Sequence, residues 1–230
     1  MADADPLPPA FRDWFAGRGW TARDHQLEMI AKGRAGRDAL LIAPTGGGKT
    51  LAGFLPSLIE LSERASANTA RALHTIYISP LKALAVDVER NLVAPIAEMS
   101  LKIVAESRTG DTGIARRQRQ RIKPPDILLT TPEQLALLCA WEGRLFFEDL
   151  RCVILDEIHT LHSSKRGDLL ALDLARLQVL APAMRRVGLS ATVDDPEVIK
   201  AWMGNHRHVE VVAASSPPSP PPSGEESWSL

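Results

Sequence analysis

Eight residues, Ala43-Pro44-Thr45-Gly46-Gly47-Gly48-Lys49-Thr50, combine glycines, a lysine and a threonine hydroxyl at the spacing needed to hold a phosphate. Glycines let the backbone curl until its N–H groups face an anion, and a helix opening at the end of the turn adds the positive end of its dipole. Lys49 is placed to neutralise the β- and γ-phosphates of a nucleotide such as ATP, and the Thr50 hydroxyl to ligate Mg2+. Thr45, Gly46, Gly47 and Gly48 supply the rest of the cradle. The general pattern begins with glycine, whereas this one begins with Ala43. A phosphate cradle alone leaves the reaction open, because kinases, GTPases and motors share it.

A second cluster, Asp156-Glu157-Ile158-His159, narrows the chemistry. It directly follows the apolar run Cys152–Leu155, at the end of a strand where α/β sheets bind their ligands. Asp156 is expected to hold Mg2+ through water. Glu157 has the position to polarise an attacking water, which points to hydrolysis rather than transfer to a bound acceptor.

These residues need a scaffold that brings distant segments to one edge. Six short apolar runs provide it: Ala39–Ala43, Thr75–Ser79, Leu101–Ala105, Asp126–Thr130, Cys152–Leu155 and Arg186–Leu189. Most are rich in Val, Ile and Leu without polar alternation, as strands covered on both faces are. Helical spacing fills the intervals, at Leu51–Arg64, Lys82–Ala97, Ile114–Ile122, Pro132–Ala140 and Asp168–Leu180. Strand alternating with helix predicts right-handed crossovers, and so an α/β fold with a parallel sheet and helices on both faces. Two short helices, Ala10–Trp20 and Arg23–Lys32, are expected before the first strand. Another, Pro196–Met203, is expected after the last, capped by Asp194 or Asp195.

Composition sets limits on partners. The formal net charge of the 230 residues is −1, so any polynucleotide contact must be local rather than spread over a basic domain. Cys139 and Cys152 lie in apolar runs without metal-ligand spacing and are expected to be buried thiols in a reducing compartment. The acidic start Met-Ala-Asp-Ala-Asp-Pro has no signal-peptide character, and no apolar run approaches the roughly 18 residues a membrane span needs. A cytoplasmic protein with no membrane partner is the expectation.

Taken together and in order, the motifs resemble those of the DExH-box helicases of superfamily 2. Gln26, in Arg23-Asp24-His25-Gln26, resembles the glutamine that reads the adenine edge. Ser79-Pro80-Leu81-Lys82-Ala83-Leu84 is similar to motif Ia. Thr109-Gly110-Asp111-Thr112 and Thr131-Pro132-Glu133-Gln134-Leu135 resemble later strand-contacting loops. Ser190-Ala191-Thr192 resembles motif III. By that resemblance the fold is a RecA-like P-loop NTPase lobe. ATP is then held by Gln26 and Thr45–Thr50, with Mg2+ on Thr50 and Asp156. Lys49, Asp156 and Glu157 are the catalytic set, while His159, Ser190 and Thr192 couple the nucleotide site to the track. Pro80, Lys82, Thr109, Gly110, Thr131 and Pro132 face nucleic acid.

The phrases ISPLKALAVDVERNL, RTGDT, ILLTTPEQL, DEIH and SSKRGDLLALDLARL are similar to the large helicase-related group. Within it they most resemble the bacterial ligase-associated DExH-box helicases. The resemblance implies DNA rather than RNA, a DNA-repair setting, and repair partners such as a ligase or nuclease.

Several residues admit two readings. Lys82 either meets a phosphate or is a solvated first-turn residue; Thr109 and Thr131 can cap helices as well as touch a backbone. The run Arg116-Arg117-Gln118-Arg119-Gln120-Arg121 is either a nucleic-acid patch or a solvated helix face. Trp20 either packs beside the adenine or joins the core.

The expected organisation is a flexible stretch at 1–9, the ATP-binding lobe at 10–213, and a disordered Pro/Ser-rich tail at 214–230. No second RecA-like lobe is expected after Ser190–Thr192, and the tail has the character of a frameshifted or truncated end. The function is therefore either the N-terminal lobe of an ATP-dependent DNA helicase or translocase, or an inactive fragment that binds ATP and nucleic acid.

Overall fold

A computed structural model describes residues 6–66, 71–191, 193–204 and 207–214. Two helices come first, α1 (Pro9–Gly17) and α2 (Asp24–Arg34), with Leu7 already buried ahead of them. Then follow β1 (Asp38–Ile42), α3 (Lys49–Ser66), β2 (Thr75–Ile78), α4 (Lys82–Glu98), β3 (Ala105–Arg108), α5 (Ile114–Ile122), β4 (Ile127–Thr130) and α6 (Pro132–Trp141). The rest is α7 (Arg144–Phe147), β5 (Cys152–Leu155), α8 (Ile158–Leu161), α9 (Lys165–Leu180), β6 (Arg185–Ser190), α10 (Pro196–Gly204) and β7 (Val209–Ala213).

The seven strands form one sheet in the order β3-β4-β2-β5-β6-β1-β7, and every pairing is parallel. Because successive side chains point to opposite faces, each central strand feeds two cores. Leu41, Tyr77 and Ile154 join the core under α1 to α4. Leu40, Ile76, Ile78, Val153 and Leu155 join the core under α6 to α10. This double cover is why the strands read as unbroken apolar runs. Cys139 and Cys152 are buried free thiols, and burial pushes Cys139 up to about 12.

Two strands differ from the sequence reading. The third lies at Ala105–Arg108 instead of Leu101–Ala105. Its apolar stretch is spent before the sheet, where Ile103 is buried and Leu101 packs against the α4 core. As an edge strand it carries Glu106 and Arg108, so no run of aliphatics marks it. The seventh strand, Val209–Ala213, extends the sheet beyond β1 and has no counterpart in the reading above. The helices agree more closely. Ser164 caps α9 by accepting from the Gly167 N–H at 3.1 Å, and Asp195 caps α10 by accepting from the Glu197 N–H at 2.9 Å. Thr192, residues 1–5 and residues 215–230 of the tail lie outside the described residues. None of the described helices is long and apolar enough to cross a membrane.

Candidate nucleotide and nucleic-acid site

An all-parallel sheet sends every strand-to-helix loop to the same edge. The strand order divides that edge in two. On β1, β6 and β5 lie the phosphate loop, Ser190 and Asp156–His159; on β2, β4 and β3 lie Pro80–Lys82, Thr131–Pro132 and Thr109–Gly110. The two halves meet where β2 pairs with β5.

Within the phosphate loop, Gly46 (φ 77°) and Gly48 (φ 72°) are left-handed, a conformation other L-residues rarely adopt. A side chain at Gly47 would come within 2.7 Å of the Pro44 carbonyl. Ala43 is not in the left-handed region, which explains why alanine serves where the general pattern has glycine. Its N–H donates to the Ser190 carbonyl at 3.0 Å and ties the loop to β6.

Lys49 opens α3 and is buried, yet among the described residues its ammonium has no hydrogen-bond acceptor. The nearest carboxylate is Glu157, with Nζ and Oε1 3.7 Å apart. An ammonium carries three donors and is costly to bury unsatisfied, so this position calls for an anion. Thr50 follows on the first turn of the same helix.

Asp156 is buried at the end of β5. Its Oδ2 accepts from the Tyr77 hydroxyl and its Oδ1 from the Glu157 N–H at 3.0 Å. Burial pushes the Asp156 carboxyl above its usual range, against the pull of those donors and of Lys49. Burial and the neighbouring carboxylate push the Tyr77 phenol well above its ordinary range, so it is a donor. Glu157 sits at φ 46° and ψ 43°, a left-handed conformation that costs a non-glycine residue free energy. Its carboxylate lies between Lys49 and His159, whose Nε2 is 3.4 Å from Oε2. The other ring nitrogen, Nδ1, is 2.9 Å from Ser190 Oγ. In the neutral ring, a Ser190 hydroxyl donating to Nδ1 leaves Nε2–H directed at Glu157.

The segment before the first strand also reaches the loop. The His25 ring donates through Nε2 to the Gly47 carbonyl at 2.9 Å, and burial lowers its pKa. Gln26 is buried against Gly48, where an added Cβ would come within 2.9 Å of Nε2. Its Oε1 accepts from the Arg23 N–H at 3.0 Å, so the same side chain also closes the first turn of α2. Trp20 meets Trp14 edge-on at 5.7 Å between centroids and lies under the Arg18 guanidinium at 5.0 Å. That is the core reading of Trp20.

The other half of the edge is braced by charge. Lys82 Nζ is 3.2 Å from Asp111 Oδ1, which joins the loop after β2 to the loop after β3. Arg117 donates to the carbonyls of Thr109 at 3.1 Å and Gly110 at 2.7 Å. Arg166, at the start of α9, donates to the Pro80 carbonyl at 2.8 Å and pairs with Glu133 at 2.6 Å. Glu133 follows Thr131 and Pro132, so Arg166 spans two of the candidate loops. The remaining arginines of the basic run are paired: Arg116 with Glu89 at 3.0 Å, Arg119 with Glu106 at 2.8 Å and Arg121 with Glu142 at 2.6 Å. Three of the four arginines of that helix thus have a carboxylate partner from another element.

Sequence reasoning missed Tyr77, Arg166 and the bracing role of Arg117. Tyr77 left a signal, because a single phenol in an aliphatic strand needs a partner for its hydroxyl.

The profile of the DEAD/DEAH box helicase family matches residues 23–201. The chain belongs to the DEAD/DEAH box helicases. This DEAD/DEAH box domain is 40% identical over 226 residues to the Lhr helicase/uracil glycosylase of Escherichia coli, covering 90% of the chain but 15% of that protein. It is 40% identical over 225 residues to the ATP-dependent helicase Lhr-Core of Methanothermobacter thermautotrophicus, covering 91% of the chain and 26% of that protein. The domain thus spans a minor part of the curated relatives it matches. Among solved structures it superposes on helicase Lhr of Mycobacterium smegmatis, bound to ssDNA and AMP-PNP, with a TM-score of 0.83 and 37% identity over 94% of the chain and 28% of that one. Helicase MrfA shares the fold at 24% identity and a TM-score of 0.81, over 94% of the chain and 34% of that one. The seven-stranded sheet is that of a RecA-like helicase lobe.

Proposed function

We propose that the chain is the ATP-binding lobe of an ATP-driven DNA helicase or translocase. The observation that carries this reading is the buried Lys49 ammonium. It has no acceptor among the described residues, stands at the mouth of a glycine cradle and faces Glu157 at 3.7 Å. A triphosphate supplies the anionic oxygens that site lacks.

The residues fit Mg2+ as well as phosphate. The Thr50 hydroxyl and Asp156 carboxylate are hard oxygen donors, and Mg2+ is held through few protein ligands together with waters and phosphate oxygens. When bound, the ion would neutralise phosphate charge. Lys49 then holds phosphate, Asp156 orients the metal face of the site, and Glu157 accepts a proton from water. His159 and Ser190 carry a change at Glu157 into β6. Gln26 contacts the base, with its carbonyl oxygen shared with the α2 turn.

DNA is favoured over RNA because the relative solved with ssDNA is 37% identical, whereas the RNA-bound Mss116 is 19–20% identical and shares only the fold. Pro80, Lys82, Thr109, Gly110, Thr131 and Pro132 form the contact row. A DNA-repair setting, with a ligase or nuclease nearby, follows from the family resemblance.

Turnover requires an arginine from a second RecA-like lobe, a group that contributes about 10^3–10^5 in rate. The test is steady-state ATP hydrolysis with and without single-stranded DNA, by residues 1–230 and by a version joined to a second lobe. Stimulation in the two-lobe version alone is expected. Its absence from both would favour a fragment that only binds.

A further inference from the structure

Tyr77 is the only tyrosine in the chain and its side chain is fully buried. A position of that kind in an aliphatic strand gains nothing from a phenol unless the hydroxyl has a partner. Here the partner is Oδ2 of Asp156, reached across the seam where Tyr77 pairs in register with Ile154 of β5. The ring stacks on Phe54, with centroids 5.2 Å apart and planes 28° from parallel. Phe54 belongs to α3, the helix that begins with Lys49 and Thr50. One side chain therefore touches the carboxylate on β5 and the helix that bears the phosphate-binding lysine.

We propose that Tyr77 is a positioning residue for the Mg2+–nucleotide site. Its hydroxyl fixes the rotation of the Asp156 carboxylate, and its ring fixes the placement of that carboxylate relative to the start of α3. Tyr77 occupies one oxygen and the Glu157 N–H the other, so the carboxylate cannot turn without losing a bond. Outer groups of this kind orient metal ligands and tune their affinity. The inference rests on the nucleotide reading above.

Tyr77→Phe keeps the ring and its stacking and removes only the hydroxyl. Binding of a fluorescent ATP analogue to residues 1–230 is followed during a Mg2+ titration and again in EDTA. The Mg2+ needed for half-maximal binding is expected to rise by about tenfold or more, with affinity in EDTA unchanged. Asp156→Asn alone raises that Mg2+ requirement, and adding Tyr77→Phe to it changes nothing further, because the hydroxyl acts through the carboxylate. An unaltered Mg2+ requirement, an equal loss with and without Mg2+, or additive effects in the double variant would overturn the proposal. A parent chain whose analogue binding ignores Mg2+ would remove the nucleotide reading itself, and this inference with it.

Discussion

Lys49 Nζ and Glu157 Oε1 stand 3.7 Å apart, one at the start of α3 and the other just beyond β5. The pair is too long for a hydrogen bond, and the lysine is buried while Glu157 is half-buried. The two oppositely charged groups therefore sit side by side at the edge of the cradle, where a phosphate would bind at Lys49 and an attacking water beside Glu157. Glu157 meets Lys49 from a left-handed backbone, φ 46°.

Glu157→Gln keeps the size of the side chain and removes the proton acceptor. Nucleotide binding is expected to stay within about twofold of the parent, while hydrolysis in a two-lobe version falls about 10^2–10^4-fold. Parallel binding and single-turnover measurements check this. Hydrolysis at the parental rate would exclude Glu157 as the base.

Gly48→Ala meets two obstacles at once. The position has φ 72°, and the new Cβ would lie 2.9 Å from Gln26 Nε2. The left-handed backbone alone costs about 1–2 kcal/mol. The variant is expected to lose nucleotide affinity by more than Gly36→Ala, which shares a positive φ of 63° but adds a Cβ with no neighbour within 4 Å. Titration of both variants with the same analogue separates loop shape from general backbone strain.

A triad of buried His74 and Arg185 with half-buried Glu60 sets an acid limit on stability. The His74 ring takes a hydrogen bond from the Thr75 hydroxyl at 2.9 Å and turns Nε2 to Glu60, 3.1 Å away, while Arg185 pairs with Glu60 at 2.8 Å. Burial lowers the pKa of His74 and of His25 from the ordinary 6.5. The unfolded chain then binds more protons than the folded one once the pH drops below about 6.5. Their contribution is complete above that pH and is lost as the pH falls from it through the lowered folded values. Melting temperature is expected to fall between about pH 7.5 and 5.5, and His74→Gln to flatten that slope. A flat profile in the parent would contradict this.

Much of this was legible in the chain because local physics and architecture agree. A glycine turn between an apolar run and a helix leaves few options, and Asp156 and Glu157 inherit their place from the strand before them. The edge strands were less legible. Ala105–Arg108 and Val209–Ala213 each have one neighbour, so polar residues occupy positions that a central strand would fill with aliphatics. The braces were illegible, since Arg166 lies 86 residues from Pro80 in sequence. The sequence left the arginines of α5 open between two readings, because their acidic partners, Glu89, Glu106 and Glu142, come from elsewhere in the chain.

Lys82 and Arg166 should separate by salt dependence. Lys82→Ala is expected to weaken single-stranded DNA binding and reduce the salt slope by about one. Arg166→Gln frees the Pro80 and Glu133 loops without removing a phosphate contact, so it weakens binding with little change of slope. Fluorescence anisotropy across a salt series measures both, and identical slopes for all three proteins would place the track elsewhere.

The central claim is that the Gly46–Lys49 cradle binds a nucleotide phosphate. Calorimetric titration of residues 1–230 and of Lys49→Ala with a non-hydrolysable ATP analogue and Mg2+ tests it most directly. Saturable binding by the parent, and a loss of about 100-fold or more in the variant on removal of the buried ammonium, is the predicted result. Equal affinity in the two proteins would contradict it.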